Sequence, residues 1–207
     1  MLEFAATTFV TFLVILDPLG TVPIFLGLTA DRPHAERQQA ARRAIVTAAA
    51  VLIVFAVAGQ PLLHLLGISL PAFRIAGGSL LFLLSIDMVF AHQSGIRSVT
   101  NVESKEAAER ADVAIFPLAV PLIAGPGAIT SVLLMMNEAH GSWDRQAVVL
   151  ALMLIVLFIS FLLLIMGSRL MERIGVTGVN VVGRVAGIIL AALAVQFIVD
   201  GVKGVLL

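Results

Sequence analysis

The chain has 207 residues, of which 60% are hydrophobic and 13% charged, and its formal net charge is zero. A mean hydropathy of +1.09 indicates more apolar surface than a soluble domain of this size can bury. The composition therefore excludes an ordinary soluble protein and predicts an integral membrane protein. No cysteine occurs, which excludes disulfides and thiol chemistry.

Six stretches are long and apolar enough to cross a bilayer, for which a helix needs about 20 residues. Short charged connections separate them, and together they predict an all-α membrane protein with a single membrane domain, residues 1–207. The predicted spans are Phe4–Leu28, Ala44–Leu63, Pro71–Ala91, Val113–Met136, Ala147–Gly167 and Val181–Leu206.

The first span is interrupted near its middle by Asp17, Pro18 and Gly20, which Thr21 and Pro23 follow. Proline removes a backbone donor and clashes with the preceding turn, so the motif predicts a helix that is kinked or unwound there. Unwound backbone at mid-membrane must be buried in protein or line a polar cavity, because lipid cannot satisfy its N–H and C=O groups.

Asp17 is the only acid predicted at the centre of a span, where an ionisable group costs about 2.5 to 3.5 kcal/mol on insertion scales. It is therefore expected to face the protein interior. One role is the N-cap of a half-helix that begins at Pro18. The other is contact with the ammonium group of a solute or uptake of a coupling proton, and the two roles are compatible.

The fourth span carries a second motif of proline and glycine, again near its midpoint. Two half-helices are expected to open near Gly20-Thr21 and Gly127-Ala128, and their free N–H groups and positive dipole ends suit an anionic group such as a carboxylate. The alternative is a pair of proline kinks that only shape packing. The residues of the second motif are Pro117, Pro121, Gly125, Pro126, Gly127, Ala128 and Thr130.

The two halves of the sequence resemble each other. Gly59 and Gly67 precede span three as Gly167 and Gly175 precede span six, and Arg74 and Arg184 open those spans; Asp17-Pro18 corresponds to Gly125-Pro126. Each half holds three spans, an odd number, so the second half must enter the membrane from the opposite side. The prediction is an inverted repeat of residues 1–91 and 113–207, joined by a cytoplasmic connection, residues 92–112.

Other polar residues rank below the motifs. Asp87 in span three and Gln196 in span six are second-rank candidates for the site, while Arg74 and Arg184 are expected to anchor their helices at the membrane interface. The four histidines fall in separate connections, which argues against a metal site. Nucleotide-binding, zinc-protease and nucleophile-elbow motifs are missing from the sequence, so neither an enzyme nor a cofactor is expected.

Ten of the 13 lysine and arginine residues lie in the odd-numbered connections. The positive-inside rule then predicts that these connections are cytoplasmic and that both termini are outside. The longest connection, residues 92–112, mixes acids and bases, which is typical of a solvated loop or surface helix.

At Asp17–Pro23 and Pro117–Gly127 the sequence resembles the MarC family of bacterial inner-membrane proteins. That family carries Asp-Pro-x-Gly-x-x-Pro in the first span and Pro-Leu-Ala-x-Pro-x-x-Ala-Gly-Pro-Gly in the fourth, and both segments occur here without departure. The family is grouped with LysE-like exporters, and some relatives are described as small neutral amino-acid transporters. The resemblance therefore implies a multi-pass protein of the bacterial inner membrane and suggests a substrate class.

The leading hypothesis is a secondary transporter, for uptake or export, of small neutral amino acids such as glycine or alanine, with proton coupling left open. The expected partners are a small solute and the lipid bilayer; nucleic acid is not expected, and a homo-oligomer is left open. The alternative hypothesis is a non-transporting membrane scaffold or stress-response component, in which the two motifs only shape the fold.

Overall fold

A computed structural model describes residues 1–90 and 114–206, and every element in these two ranges is helical. Ala91, Val113 and the connection 92–112 lie outside the described residues. The helices are α1 (Leu2–Leu16), α2 (Pro18–Leu28), α3 (His34–Leu65), α4 (Leu70–Phe90), α5 (Ala114–Ile123), α6 (Pro126–Glu138), α7 (Trp143–Ile165) and α8 (Gly167–Leu206).

The helices confirm a six-helix membrane architecture. Five segments are long and apolar enough to span a membrane, the first of them formed by α1 and α2 together, and the pair α5 and α6, bent by 55°, makes the sixth. α3 begins at His34, well before the predicted Ala44, because its first turns are polar and extend the helix beyond the apolar stretch. α8 contains a kink at Gly175, and the apolar part suited to crossing the membrane runs from Thr177 to Leu206.

Helices α4 and α8 pack against each other in antiparallel fashion, at backbone contact distance. A Cβ atom on Gly78 would lie 2.8 Å from the carbonyl oxygen of Ala194, and one on Gly187 would lie 3.0 Å from the backbone nitrogen of Val89. Small residues permit such close approach in membrane helices, where van der Waals packing drives association. We call this contact the α4–α8 seam.

The half-helix α6 lies in the middle of the bundle. Gly59 of α3 contacts Leu133, Gly77 of α4 contacts Thr130, and Thr8 of α1 approaches the sulfur of Met135 at 3.9 Å. The half-helix α2 packs on α7 and α8, where Gly167 would place a Cβ atom 3.0 Å from Val22. The long helices therefore surround the two short ones that follow the breaks.

The two ends of the bundle carry different groups. At one end the guanidinium of Arg145 stands 5.7 Å from the ring centroid of Phe4, and Gly201 packs on Pro71, so both termini lie there. We call this end, with Arg74 and Glu138, the Glu138 end. The opposite end, where α2 ends and α3 begins, is the His34 end.

Candidate functional site at the two helix breaks

The first break is a single residue, Asp17, in the left-handed conformation (φ 41°, ψ 67°). Its N–H donates to the carbonyl of Leu13 at 3.2 Å and so ends α1, while its Oδ1 accepts the Gly20 N–H at 3.1 Å and so caps α2. Pro18 takes the first helical position, where its missing N–H costs nothing. The predicted break and the predicted N-cap are both confirmed.

The chain around Asp17 is shaped to hold its carboxylate. A side chain on Gly20 would overlap the Asp17 carboxylate, with its Cβ atom 2.8 Å from Cγ. The hydroxyl of Thr21 donates to the Asp17 carbonyl at 2.9 Å. Asp17 is 6% exposed and Thr21 3%, so an acid that could have faced lipid is enclosed by protein, as its position in the sequence predicts.

The other end of α2 is also complemented in charge. The Nε of Arg37 donates to the carbonyls of Thr29 at 2.9 Å and Arg32 at 3.0 Å, and its Nη2 donates to the carbonyl of Ala30 at 2.6 Å. A cation at a helix C-terminus satisfies orphan carbonyls and opposes the negative end of the dipole. α2 thus has a carboxylate at its first turn and a guanidinium at its last.

The second break is longer than the first. Phe116 (φ −129°, ψ 128°) and Val120 (φ −132°, ψ 123°) are extended inside α5, because the residue before a proline is driven out of the helical region and prolines follow both. Gly125 is also extended (φ −80°, ψ 175°), and Pro126 begins α6.

The first turn of α6 has no acid in the place that Asp17 occupies in α2. The first hydrogen bond of this helix runs from the Ile129 N–H to the Gly125 carbonyl, at 3.0 Å. Pro126 has no N–H, and the N–H groups of Gly127 and Ala128 precede that bond, so the helix itself does not use them. Both residues are buried. In the described part of the chain no side chain caps this turn, and binding of an anionic group there stays a prediction.

The two breaks lie beside each other. A Cβ atom on Gly127 would lie 3.8 Å from Ile15, which is two residues before Asp17, and 2.8 Å and 3.6 Å from Leu81 and Leu84 of α4. Thr130, one turn further along α6, is 4% exposed and covers Gly77. The first turn of α6 therefore lies beside the end of α1, and apolar side chains of α1 and α4 close around Gly127.

Other sequence-predicted residues stand apart from that place. Pro23 lies half-buried inside α2, and Pro126 is exposed on the outside of the break. Gln196 is exposed and donates to Asp200 at 2.8 Å. Asp87 lies one turn beyond Leu84, and its Oδ2 is buried without a hydrogen-bond partner among the residues described. In ranges 1–90 and 114–206, no three His, Asp or Glu side chains form a metal-binding group.

Sequence reasoning missed several residues around the breaks. The apolar wall of Ile15, Leu81 and Leu84 gave no signal, because a leucine in a membrane span is the default residue. From the sequence, Arg37 is expected only as a loop charge and Arg74 only as an interfacial anchor. Their contacts with the ends of α2 and α6 depend on tertiary structure, which no spacing in the sequence specifies.

These features define a multi-pass integral membrane protein with two broken helices meeting in its interior. The sequence matches the MarC family of integral membrane proteins over residues 2–206, and the chain belongs to that family.

Similar proteins occur in archaea and in bacteria. A UPF0056 membrane protein of Methanocaldococcus jannaschii is 41% identical over 206 residues, which cover 100% of this chain and 99% of that protein. A UPF0056 membrane protein of Bacillus subtilis is 34% identical, over 99% of this chain and 96% of its own length. No solved structure matches the chain.

Proposed function

We propose that the protein is a secondary transporter of small neutral amino acids, such as glycine or alanine, working in uptake or export. The observation that carries the proposal is a pair of neighbouring helix breaks. Asp17 is a buried carboxylate at the first break, Gly127 and Ala128 begin the uncapped half-helix at the second, and Ile15, two residues before Asp17, lies beside Gly127. An amino acid is a zwitterion, and these two groups complement its ammonium and its carboxylate.

The geometry also supports one orientation for the proposed solute. The N-terminus of α2 already holds the Asp17 carboxylate through the Gly20 N–H, so a second anion there would be repelled. The N-terminus of α6 has no acid of its own. In the proposed complex the solute carboxylate therefore binds at Gly127 and Ala128, and the ammonium group faces Asp17, which is also the candidate carrier of a coupling proton.

The surroundings favour a small solute without charge on its side chain. Ile15, Leu81 and Leu84 close around Gly127 and offer only apolar atoms. A charged side chain placed against them would lose its hydration without gaining a partner. A large one would have to displace buried leucines.

An inverted repeat is part of the proposal. Gly67 (φ 67°) and Gly175 (φ 68°) occupy equivalent positions in the two halves of the sequence, and both have a positive φ. Gly59 packs on the half-helix α6, and its equivalent, Gly167, packs on the half-helix α2. These correspondences support two similar units related by a pseudo-two-fold axis, the arrangement in which transporters place a solute site between broken helices.

We propose the plasma membrane as the location, with the odd-numbered connections in the cytoplasm and both termini outside. Arg32 and Arg37, which the sequence places in the predicted first connection, lie at the His34 end. This supports that end as the cytoplasmic one. No enzymatic activity is part of the proposal, and the proposed partners are the solute and the bilayer.

Flux of radiolabelled glycine and alanine into proteoliposomes, with and without a pH gradient, tests the proposal. Wild type is expected to show saturable flux. Asp17→Asn keeps a side-chain oxygen that can cap Gly20 but removes the charge, so it should abolish flux while the protein stays folded. Asp31→Asn, at an exposed site in the following loop, is the matched control and should transport normally. The absence of saturable flux of any small amino acid would refute transport.

One observation favours the alternative of a non-transporting scaffold. The hydrogen bonds that Gly20 and Thr21 donate to Asp17 at the first break also stabilise the fold. On that alternative, Asp17→Asn changes the thermal stability or the assembly of the protein but alters neither the flux nor the binding of any solute.

A further inference from the structure

The C-terminal end of α6 is held differently from that of α2. α6 ends in an acid, Glu138, whose negative charge is unfavourable at the negative end of the helix dipole. Its Oε1 lies 3.7 Å from Nη2 of Arg74 in α4. The cation that stabilises this end, Arg74, therefore comes from α4. At the end of α2, by contrast, the cation is Arg37 of α3, the next helix in the chain.

A second carboxylate, that of Asp200, lies near the Arg74–Glu138 pair. Asp200 of α8 lies close enough to Glu138 for the two negative charges to interact, and it accepts a hydrogen bond from Gln196 at 2.8 Å. Arg74 is the cation that offsets Glu138. Removing Arg74 takes away this attraction between α4 and α6 and leaves the repulsion between Glu138 and Asp200.

Contact between α4 and α6 is continuous from this ion pair to the break. Arg74 pairs with Glu138, Gly77 lies under Thr130, and Leu81 covers Gly127. Separation of the two helices at the Glu138 end would therefore uncover Thr130 and then the free N-terminus of α6.

The same pair cannot form at the other end of the bundle. By the correspondence of the two halves, Arg74 matches Arg184 and Glu138 matches Ala30, which has no charge. A cavity of about 20 Å³, the size of one water molecule, remains at the His34 end between Phe25, Arg37 and Leu164. One end is thus joined by an ion pair, and the other keeps a small gap.

We infer that the Arg74–Glu138 ion pair is a reversible latch that closes the Glu138 end of the site by holding half-helix α6 against α4. This inference rests on the proposed transport function, since it describes how access to that site is controlled. The two side chains are 23% and 40% exposed, and ion pairs of this kind are weak. A latch that opens in every transport cycle must be weak.

The absence of cysteine from the chain allows a direct test with single-cysteine reporters. Thr130→Cys is introduced, and its modification by a membrane-impermeant thiol reagent is timed in proteoliposomes. In the otherwise wild-type protein the reaction should be slow. Arg74→Gln should accelerate it by about two- to fivefold, the range that corresponds to the loss of one exposed pair. Glu138→Gln should accelerate it less, because it also removes the repulsion with Asp200.

The charge-reversed pair, Arg74→Glu with Glu138→Arg, should restore slow modification. Arg184→Gln, the same substitution at the repeat-equivalent position, should leave the rate unchanged. Trp143→Cys, at an 88% exposed site beyond α6, reports the fraction of protein oriented with the Glu138 end toward the reagent. Ser131→Cys, a nearly isosteric change in the same helix, is the second reporter if Thr130→Cys does not fold.

An unchanged rate at both reporters in Arg74→Gln, with Trp143→Cys modified normally, would overturn the latch. So would an equal acceleration by Arg184→Gln. Because the readout is accessibility and not flux, the two proposals can fail separately. Loss of the latch effect in a protein that transports refutes only the latch, and a latch effect in a protein without flux refutes only transport.

Discussion

The two helix breaks are built from the same residue types but finished in opposite ways. At Asp17 the chain supplies its own carboxylate to the N-terminus of α2. At Gly125 it supplies none, and the first turn of α6 begins with a proline and two glycines around it. The same contrast recurs at the far ends, where α2 meets Arg37 and α6 carries Glu138. Both ends of α2 are thus matched by charged groups of the chain, whereas the N-terminus of α6 has no acid in its first turn.

In the proposed transporter, α2 is therefore the fixed part of the solute site, and α6 is the part that binds the solute carboxylate. Sequence symmetry alone makes the two breaks equivalent. The side chain at one position, aspartate in the first half and glycine in the second, removes that equivalence. The sharpest experiments therefore change one break toward the other.

The largest effect is expected from Asp17→Gly, which gives both breaks a Gly-Pro sequence. Flux should be abolished, because the site loses its carboxylate. Stability should stay within about 1 kcal/mol of wild type, because glycine relieves the left-handed conformation and replaces an N-cap at a cost of a few tenths of a kcal/mol. Flux assays and thermal unfolding in detergent measure the two outcomes.

Asp17→Ala is the matched control for that experiment. Alanine keeps the unfavourable φ of 41° and loses the cap, so it should destabilise the protein by about 1 to 2 kcal/mol. Equal stability of the two variants would contradict the role given to the left-handed conformation, and normal flux in either would contradict the role given to the carboxylate.

A smaller effect is expected from Gly127→Ala at the other break. The added methyl group meets Leu81 at 2.8 Å, so it should destabilise the protein by about 1 to 3 kcal/mol and reduce flux by narrowing access to the free N-terminus. Gly27→Ala is the comparison, because a Cβ atom there meets nothing within 4 Å. It should be neutral or stabilise α2 by about 0.4 to 1 kcal/mol. A Gly127→Ala protein with unchanged affinity and flux would rule out solute binding at this turn.

The smallest effects should come from the hydroxyl groups that brace each break. Thr21 donates to the Asp17 carbonyl at 2.9 Å, and Ser131 donates to the Gly127 carbonyl at 2.8 Å. Thr21→Val and Ser131→Ala should each cost about 0.5 to 1.5 kcal/mol in thermal unfolding and leave flux measurable. Complete loss of flux from either would mean that the hydroxyl itself contacts the solute.

The sequence predicts the frame of this protein well, for reasons that are local. Hydropathy over about 20 residues identifies a span, and Asp17-Pro18 has the residue types favoured at the N-cap and first position of a helix. The spans and the first break can therefore be derived without coordinates. Helix ends were less accurate, as at His34, because a polar turn that continues an apolar helix leaves no mark in hydropathy.

The site could be predicted only in part. Its two motifs can be recognised because proline and glycine near the middle of a span break the helix there, and unwound backbone at that depth must be buried in protein or line a cavity. The neighbours of those motifs cannot, since Leu81 and Ile15 reach Gly127 only through the packing of α1, α4 and α6. The charge pair of Arg74 and Glu138 joins residues far apart in sequence, each of which alone is typical of a helix end.

The α4–α8 seam has a mechanical consequence. Two helices whose backbones already touch at Gly78 and Gly187 cannot slide past one another without collision, so they must travel together as one stiff rod. Gly67, beside the start of α4, and Gly175, inside α8, both have a positive φ, and a Cβ atom would meet nothing there. In the proposed transporter, these two glycines are the positions about which α4 and α8 would turn together.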